Sequence, residues 1–188
     1  MPKEELIVSS EFVKIDPRKI LEEEDAVILK SYASHKDTPM DVLLILSNHD
    51  DWRIRSRVAQ NTSTPPYVLD RLANDSDYET MYYVAANPST DPQTLTRFLA
   101  TAVVKGNSDD EEEIIKLCRI TLANPNTPLE TLLSFITVHN YDSTFTVAVK
   151  SNPTYINHTK SLCNENEKTA TVDKKKSISE DNVDNRFR

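Results

Sequence analysis

The chain has 188 residues and sets 22 basic side chains against 30 acidic ones, a formal charge of −8 that leaves too little positive charge for generic binding to a phosphate backbone. A hydrophobic share of 38% provides for one core with part of the chain outside it, and a single glycine, Gly106, cannot build a phosphate-cradling loop, a nucleophile elbow or a dinucleotide fingerprint. Cys118 and Cys163, 45 positions apart, supply no thiolate cage, iron–sulfur cluster or disulfide framework and fit a reducing compartment.

The opening segment, MPKEELIVSSEF, is too charged for the apolar region of a signal sequence, and no apolar run approaches the roughly 18 residues of a membrane span. A soluble, cytoplasmic protein without membrane contact is expected. Residues 1–27 form an N-terminal capping segment in which Asp16-Pro17 opens a helix.

From residue 28 to 163 the chain repeats itself. YASHKDTP (32–39), VAQNTSTP (58–65), VAANPSTD (84–91), TLANPNTP (121–128) and VKSNPTYI (149–156) align on His35, Asn61, Asn87, Asn124 and Asn152, at spacings of 26, 26, 37 and 28. Upstream of the aligned residue, Ile54 and Val58, then Met81, Val84 and Ala85, then Ile114, Leu117, Ile120 and Thr121 recur at helical intervals. These first helices stop at Asn, because a residue before proline is pushed out of the helical region at Asn87, Asn124 and Asn152. Downstream, Leu43, Leu69, Leu95 and Leu132, each followed three positions on by Leu46, Leu72, Phe98 and Phe135, mark the buried face of a second helix. Thr38-Pro39, Thr64-Pro65 and Thr127-Pro128 read as an N-cap hydroxyl followed by proline at the first helical position, with Thr127 and Glu130 as a capping box and Asp91-Pro92 as a variant. Neither helix can bury its apolar face alone, so the units must stack around a shared core.

The long interval holds an insertion of about eleven residues, near 104–113, with the solvated run GNSDDEEE (106–113) leading into a helix whose N-terminus suits acidic residues. Residues 164–188 carry six acidic and six basic side chains and almost no large apolar ones, the composition of a disordered tail. The whole charge of −8 therefore belongs to the body.

The pattern VA-x-N-x-x-TP followed by L-x-x-L at this period resembles the leucine-rich repeat variant family, bacterial proteins in which short α and 3-10 helices alternate in a right-handed solenoid. The resemblance covers about residues 28–160 and is clearest in VAQNTSTPPYVLDRLAND (58–75); His35 replaces the Asn of the first unit and VKSNPTYI lacks the Thr-Pro cap, as suits terminal repeats. The units are longer than is usual in that family, which leaves HEAT-like helical repeats as a close rival. It implies an all-α protein, a right-handed α-solenoid of about five short two-helix repeats (α/α or α/3-10) with a period of about 26 residues. Family members that carry an iron–sulfur cluster use a cysteine-rich segment before the repeats, and no cysteine precedes Cys118 here, so that activity does not transfer. The fold itself names no substrate.

Four features are candidates for function. Arg53, Arg55 and Arg57 lie on one helix, and Arg71 and Arg97 both stand ten residues after the aligned Asn, so they stack as a ladder able to grip carboxylates or phosphates, or else pair with Asp70, Asp75 or Glu79. Trp52, Tyr67, Tyr78, Tyr82 and Tyr83 fall in the same two repeats, and Trp, Tyr and Arg dominate binding hot spots; Tyr82, Tyr83 and Trp52 also fit as inter-helix core. The partner-binding set is Trp52, Arg53, Arg57, Arg71, Tyr78 and Arg97. The acidic strip Asp109, Asp110, Glu111, Glu112 and Glu113 lacks the spacing of a calcium loop and suits either solubility or mimicry of a nucleic-acid backbone. His35, His49, His139 and His158 have no metal-ligand spacing and read as surface or turn-capping residues. No catalytic, cofactor or metal site is expected. The expected function is a non-enzymatic protein–protein interaction module, with an acidic charge-mimic inhibitor and a HEAT-like enzyme or enzyme accessory as rivals.

Overall fold

The computed structural model describes residues 20, 22, 23, 25–105, 111–138 and 143–162, with all their side chains except those of 101–105, 111, 143 and 144. The elements they form are helices: α1 (Ala26–Ser34), α2 (Met40–Leu46), α3 (Trp52–Gln60), α4 (Pro66–Leu72), α5 (Tyr78–Ala86), α6 (Pro92–Lys105), α7 (Glu111–Ala123), α8 (Leu129–Val138), α9 (Ser143–Ser151) and α10 over 153–162. The described part of the chain is all-α, as its periodicity predicts. The capping segment with Asp16-Pro17 and the tail 164–188 lie outside the described residues.

Three first helices start on aspartates that recur every 26 residues, Asp25, Asp51 and Asp77, whose carboxylates accept the N–H groups of Val27, Arg53 and Glu79. α3 and α5 stop as expected, Asn61 and Asn87 having extended backbone at ψ 119° and 126°. The first helices α1, α3, α5, α7 and α9 pack side by side in chain order, and the second helices lie against the first helix of the following unit, α2 and α4 also against that of their own. Leu43, Leu69, Leu95 and Leu132 are fully buried, and Leu46, Leu72, Phe98 and Phe135 nearly so. Ala33, Ala59 and Ala85, each two residues before the aligned position and fully buried, let adjacent first helices approach closely.

The aligned asparagines connect the units. Asn61 Nδ2 donates to the carbonyls of Ala33 and His35, Asn87 to Ala59 and Asn61, Asn124 to Ala85 and Asn87, and Asn152 to Leu122 and Asn124, at 2.7–3.0 Å. Each Oδ1 accepts the N–H two residues on, from Ser63, Ser89, Asn126 and Thr154. Those same residues carry a second ladder, their side chains donating to the carbonyls of Lys36, Thr62, Pro88 and Pro125. His35 reproduces part of the role at the first position, its Nδ1 accepting the Asp37 N–H at 3.2 Å.

The Thr-Pro element differs from expectation. The hydroxyls of Thr38, Thr64, Thr90 and Thr127 do not cap the second helix; they donate backwards, at 2.5–2.6 Å, to the carbonyls of Tyr32, Val58, Val84 and Thr121. Those carbonyls belong to the last turn of the first helix, where each also accepts the N–H of the aligned residue three positions on, from His35, Asn61, Asn87 and Asn124, and the hydroxyl supplies a second donor. Proline takes the N-cap position instead, Pro39 and Pro65 having ψ 144° and 149°; Thr127 thus forms no capping box. Asp91 behaves as expected, its carboxylate accepting the Gln93 N–H at 2.7 Å ahead of Pro92.

The insertion is taken up by helix. α6 has 14 residues against seven in α4, and α7 has 13 against nine in α5. Residues 104–105 end α6, 111–113 begin α7, and 106–110 lie outside the described residues. The core has two clusters that meet on α7, Leu117 packing with the earlier units and Ile114, Cys118 and Leu122 with Phe135 and Val149 of the later ones.

Two substitutions measure these interactions. Asn87→Ala deletes two inter-unit hydrogen bonds and strands the Ser89 N–H, so urea unfolding should show a loss of about 2–4 kcal/mol. Thr80 is fully buried and its hydroxyl has no hydrogen-bond partner among the described residues, so Thr80→Val should raise the urea midpoint, by about 1 kcal/mol of stability.

Candidate partner-binding surface

The expected binding residues divide between the two helical layers. Trp52 and Tyr78 open α3 and α5 at equivalent positions 26 residues apart, and both are half-buried. The Arg53 guanidinium lies over the Trp52 ring, 5.1 Å from its centre, and 3.6 Å from the Asp51 carboxylate. Arg57, one turn on, is exposed and touches Gln60 at 3.3 Å. Tyr82 is 38% exposed and meets Tyr83 edge to face at 5.5 Å; Tyr83 also packs on the core. These residues share the first-helix layer.

Arg71 and Arg97 belong to the second-helix layer with the exposed Tyr67, and each reaches back one unit. Arg71 donates to Ser47 Oγ and, at 3.4 Å, to the Leu44 carbonyl. Arg97 pairs with Asp70 at 2.7 Å, and Thr94 Oγ1 bonds the same carboxylate oxygen at 2.6 Å. Those hydrogen bonds, from Thr94 and then Arg97, hold Asp70 below the usual carboxylate range. In the described structure the two arginines brace consecutive second helices.

Arg55 is a clamp. Its Nε and Nη2 grip both oxygens of Asp75 at 2.7 and 2.8 Å, and its Nη1 donates to the carbonyls of His49 and Asp50. The pair is largely enclosed, with 16% and 5% of the two side chains exposed. Burial pushes the Asp75 carboxyl up, but Arg55 and the Asp77 N–H outweigh it and bring it below its ordinary value. Glu23, His49 and Asp75 occupy one repeat position, each accepting the N–H of the capping aspartate two residues on.

The acidic strip is described only in part. Asp109 and Asp110 lie outside the described residues, and nothing is described of the Glu111 side chain. Glu112 and Glu113 are exposed on the first turn of α7, and Glu112 pairs with Lys116 at 2.8 Å. His49 and His35 serve as turn acceptors, His158 is half-buried on α10, and His139 lies outside the described residues. Burial pushes the Cys118 thiol up to about 11, which keeps it protonated and unreactive. Among the described residues no group of three His, Cys, Asp or Glu side chains is placed to hold a metal ion, and no helix is long and apolar enough to cross a membrane.

Lys116 and Arg119 are two further cations of the first-helix layer, outside the residue set expected from sequence. Lys116 stands eight residues before Asn124, as Arg53 does before Asn61, and Arg119 stands five before it, as Tyr82 does before Asn87. Register alone therefore places them on the same layer.

The Arg55–Asp75 pair sets a pH dependence. Asp75 is depressed below 3.8 in the folded chain, so its contribution is present above the unfolded value and disappears as pH falls through the folded one. Asp75→Asn should cost about 2 kcal/mol at pH 7, and urea curves of wild type and variant should converge as pH falls below the ordinary carboxylate range. Comparison with protein-family models, with curated proteins and with solved structures returns no match for this chain.

Proposed function

We propose that the chain is an α-solenoid of about five two-helix units that acts as a non-enzymatic protein–protein interaction module, holding its partner on the exposed first-helix layer of the central repeats. The observation that carries this reading is the Trp52–Arg53 stack on the layer that also holds exposed Arg57 and Tyr82. Guanidinium and aromatic groups concentrate binding energy when a partner desolvates them, and here they stand on helices whose spacing is held by buried amides, so little ordering cost remains to be met on binding. Both helices of the first two units are α-helical, which supports the α/α form and favours a HEAT-like array over the α/3-10 alternation of the leucine-rich repeat variant type. Side-by-side packing of consecutive first helices supports a stacked array.

The test is comparative capture from host lysate with the full chain as bait. A protein retained by wild type should be lost with Trp52→Ala, Arg53→Ala and Arg57→Ala combined, while Tyr67→Ala, on the other layer, retains it and circular dichroism stays helical. Equal capture by all three baits removes this reading.

A further inference from the structure

We infer that the groove between α5, α7 and α9 is a docking site for an acidic peptide segment of a partner protein that inserts apolar side chains between flanking carboxylates. The inference deepens the proposed function and rests on it for the layer used, but its residues are a separate set. The groove has a volume of about 420 Å³, near the lower end of the roughly 300–1,000 Å³ typical of binding clefts, which is room for a few side chains. Its floor is Ile120 and Ala148, Tyr82 forms one wall, and Val147, 64% exposed, lies open to water beside them.

Lys116 and Arg119 contribute its charge, and no carboxylate is among the described residues that line it. Arg119 is exposed and has no hydrogen-bond or ion-pair partner among the described residues. Lys116 has Glu112, an exposed pair at i, i+4 whose attraction is small and readily exchanged for another carboxylate. Two cations over an apolar floor, in a chain of net charge −8, are selective for an anion that also carries apolar groups. A nucleic-acid backbone is a poorer fit, since its continuous charge meets the repulsion of the acidic body and has no use for the floor. A second groove of about 420 Å³ lies between α6 and α8, over Leu99, Phe135 and Val138, and the charged residue lining it is Glu130. Of these two grooves, the cations line the one on the first-helix layer.

The experiment titrates the full chain into fluorescein-labelled decapeptides sharing a Leu-x-x-Val core flanked by Glu, Gln or Lys, and into a labelled oligo-dT, with anisotropy as the readout. The Glu peptide should bind about tenfold tighter than the Gln peptide, as two well-formed exposed charge pairs provide, and the advantage should shrink with salt. Lys116→Gln with Arg119→Gln should abolish that preference, Val147→Ser should weaken the Glu and Gln peptides alike, and Lys36→Gln, exposed on a turn outside both residue sets, should change neither. Equal binding of the Glu and Gln peptides to wild type, binding of none, or tighter binding of oligo-dT overturns the proposal. Loss in an Arg53→Gln, Arg57→Gln variant with none in the Lys116 and Arg119 variant overturns the groove alone and leaves the wider surface standing.

Discussion

A primary amide has two N–H donors and a carbonyl acceptor, and at Asn61, Asn87, Asn124 and Asn152 the side chain uses donors and acceptor together. The donors reach two carbonyls of the preceding unit and the acceptor closes the turn of its own. Every one of these asparagines is almost wholly buried, so no substitute keeps all the bonds without leaving a polar group stranded. Aspartate lacks the donors, and alanine lacks everything. This one side chain at once ends a helix, shapes a turn and sets the distance to the neighbouring helix.

The arrangement explains why the array tolerates unequal units. Asn124 stands 37 residues after Asn87, yet it bonds the carbonyls of Ala85 and Asn87 as its counterparts do across 26. What matters is where the turn arrives, and the additional residues lengthen α6 and α7 without disturbing it. Arginines brace the rest, Arg55 across a turn and Arg71 and Arg97 between second helices. The first-helix layer is left to present Arg53, Arg57, Tyr82 and Arg119 outward. At the far end Asn152 enters α10 directly, its carbonyl accepting the Ile156 N–H where earlier units bond the threonine three residues on.

The asparagine and leucine positions were legible in the sequence because an identical contact recurs in each unit and demands an identical residue. The threonine hydroxyl was misread for a local reason: Thr-Pro before a helix satisfies every rule of an N-cap, and its true acceptor, six residues back, approaches only when the turn is closed. The capping aspartates 25, 51 and 77 carried a signal of 26-residue spacing as regular as that of the asparagines, hidden because their flanks differ. Among candidate site residues, sequence could nominate Arg55, Arg71 and Arg97 as cations with possible acidic partners. It could not separate those spent on bracing from those facing outward, since that depends on which unit each side chain reaches. The groove over Ile120 and Ala148 was illegible because three helices from three units form it.

The asparagines also bear on how the protein ages. Asparagine is lost over time chiefly when the backbone nitrogen of the next residue attacks the side-chain amide and closes a five-membered imide, a step that needs a hydrogen on that nitrogen. Asn87, Asn124 and Asn152 are followed by Pro88, Pro125 and Pro153, and proline nitrogen carries none. The proline that ends each helix thereby closes the chemical route by which the amide beside it would turn into a carboxylate. Asn61, followed by Thr62, is the ladder position where that route stays open, and there burial, the two bonds to Ala33 and His35 and the bond from the Ser63 N–H stand in its way.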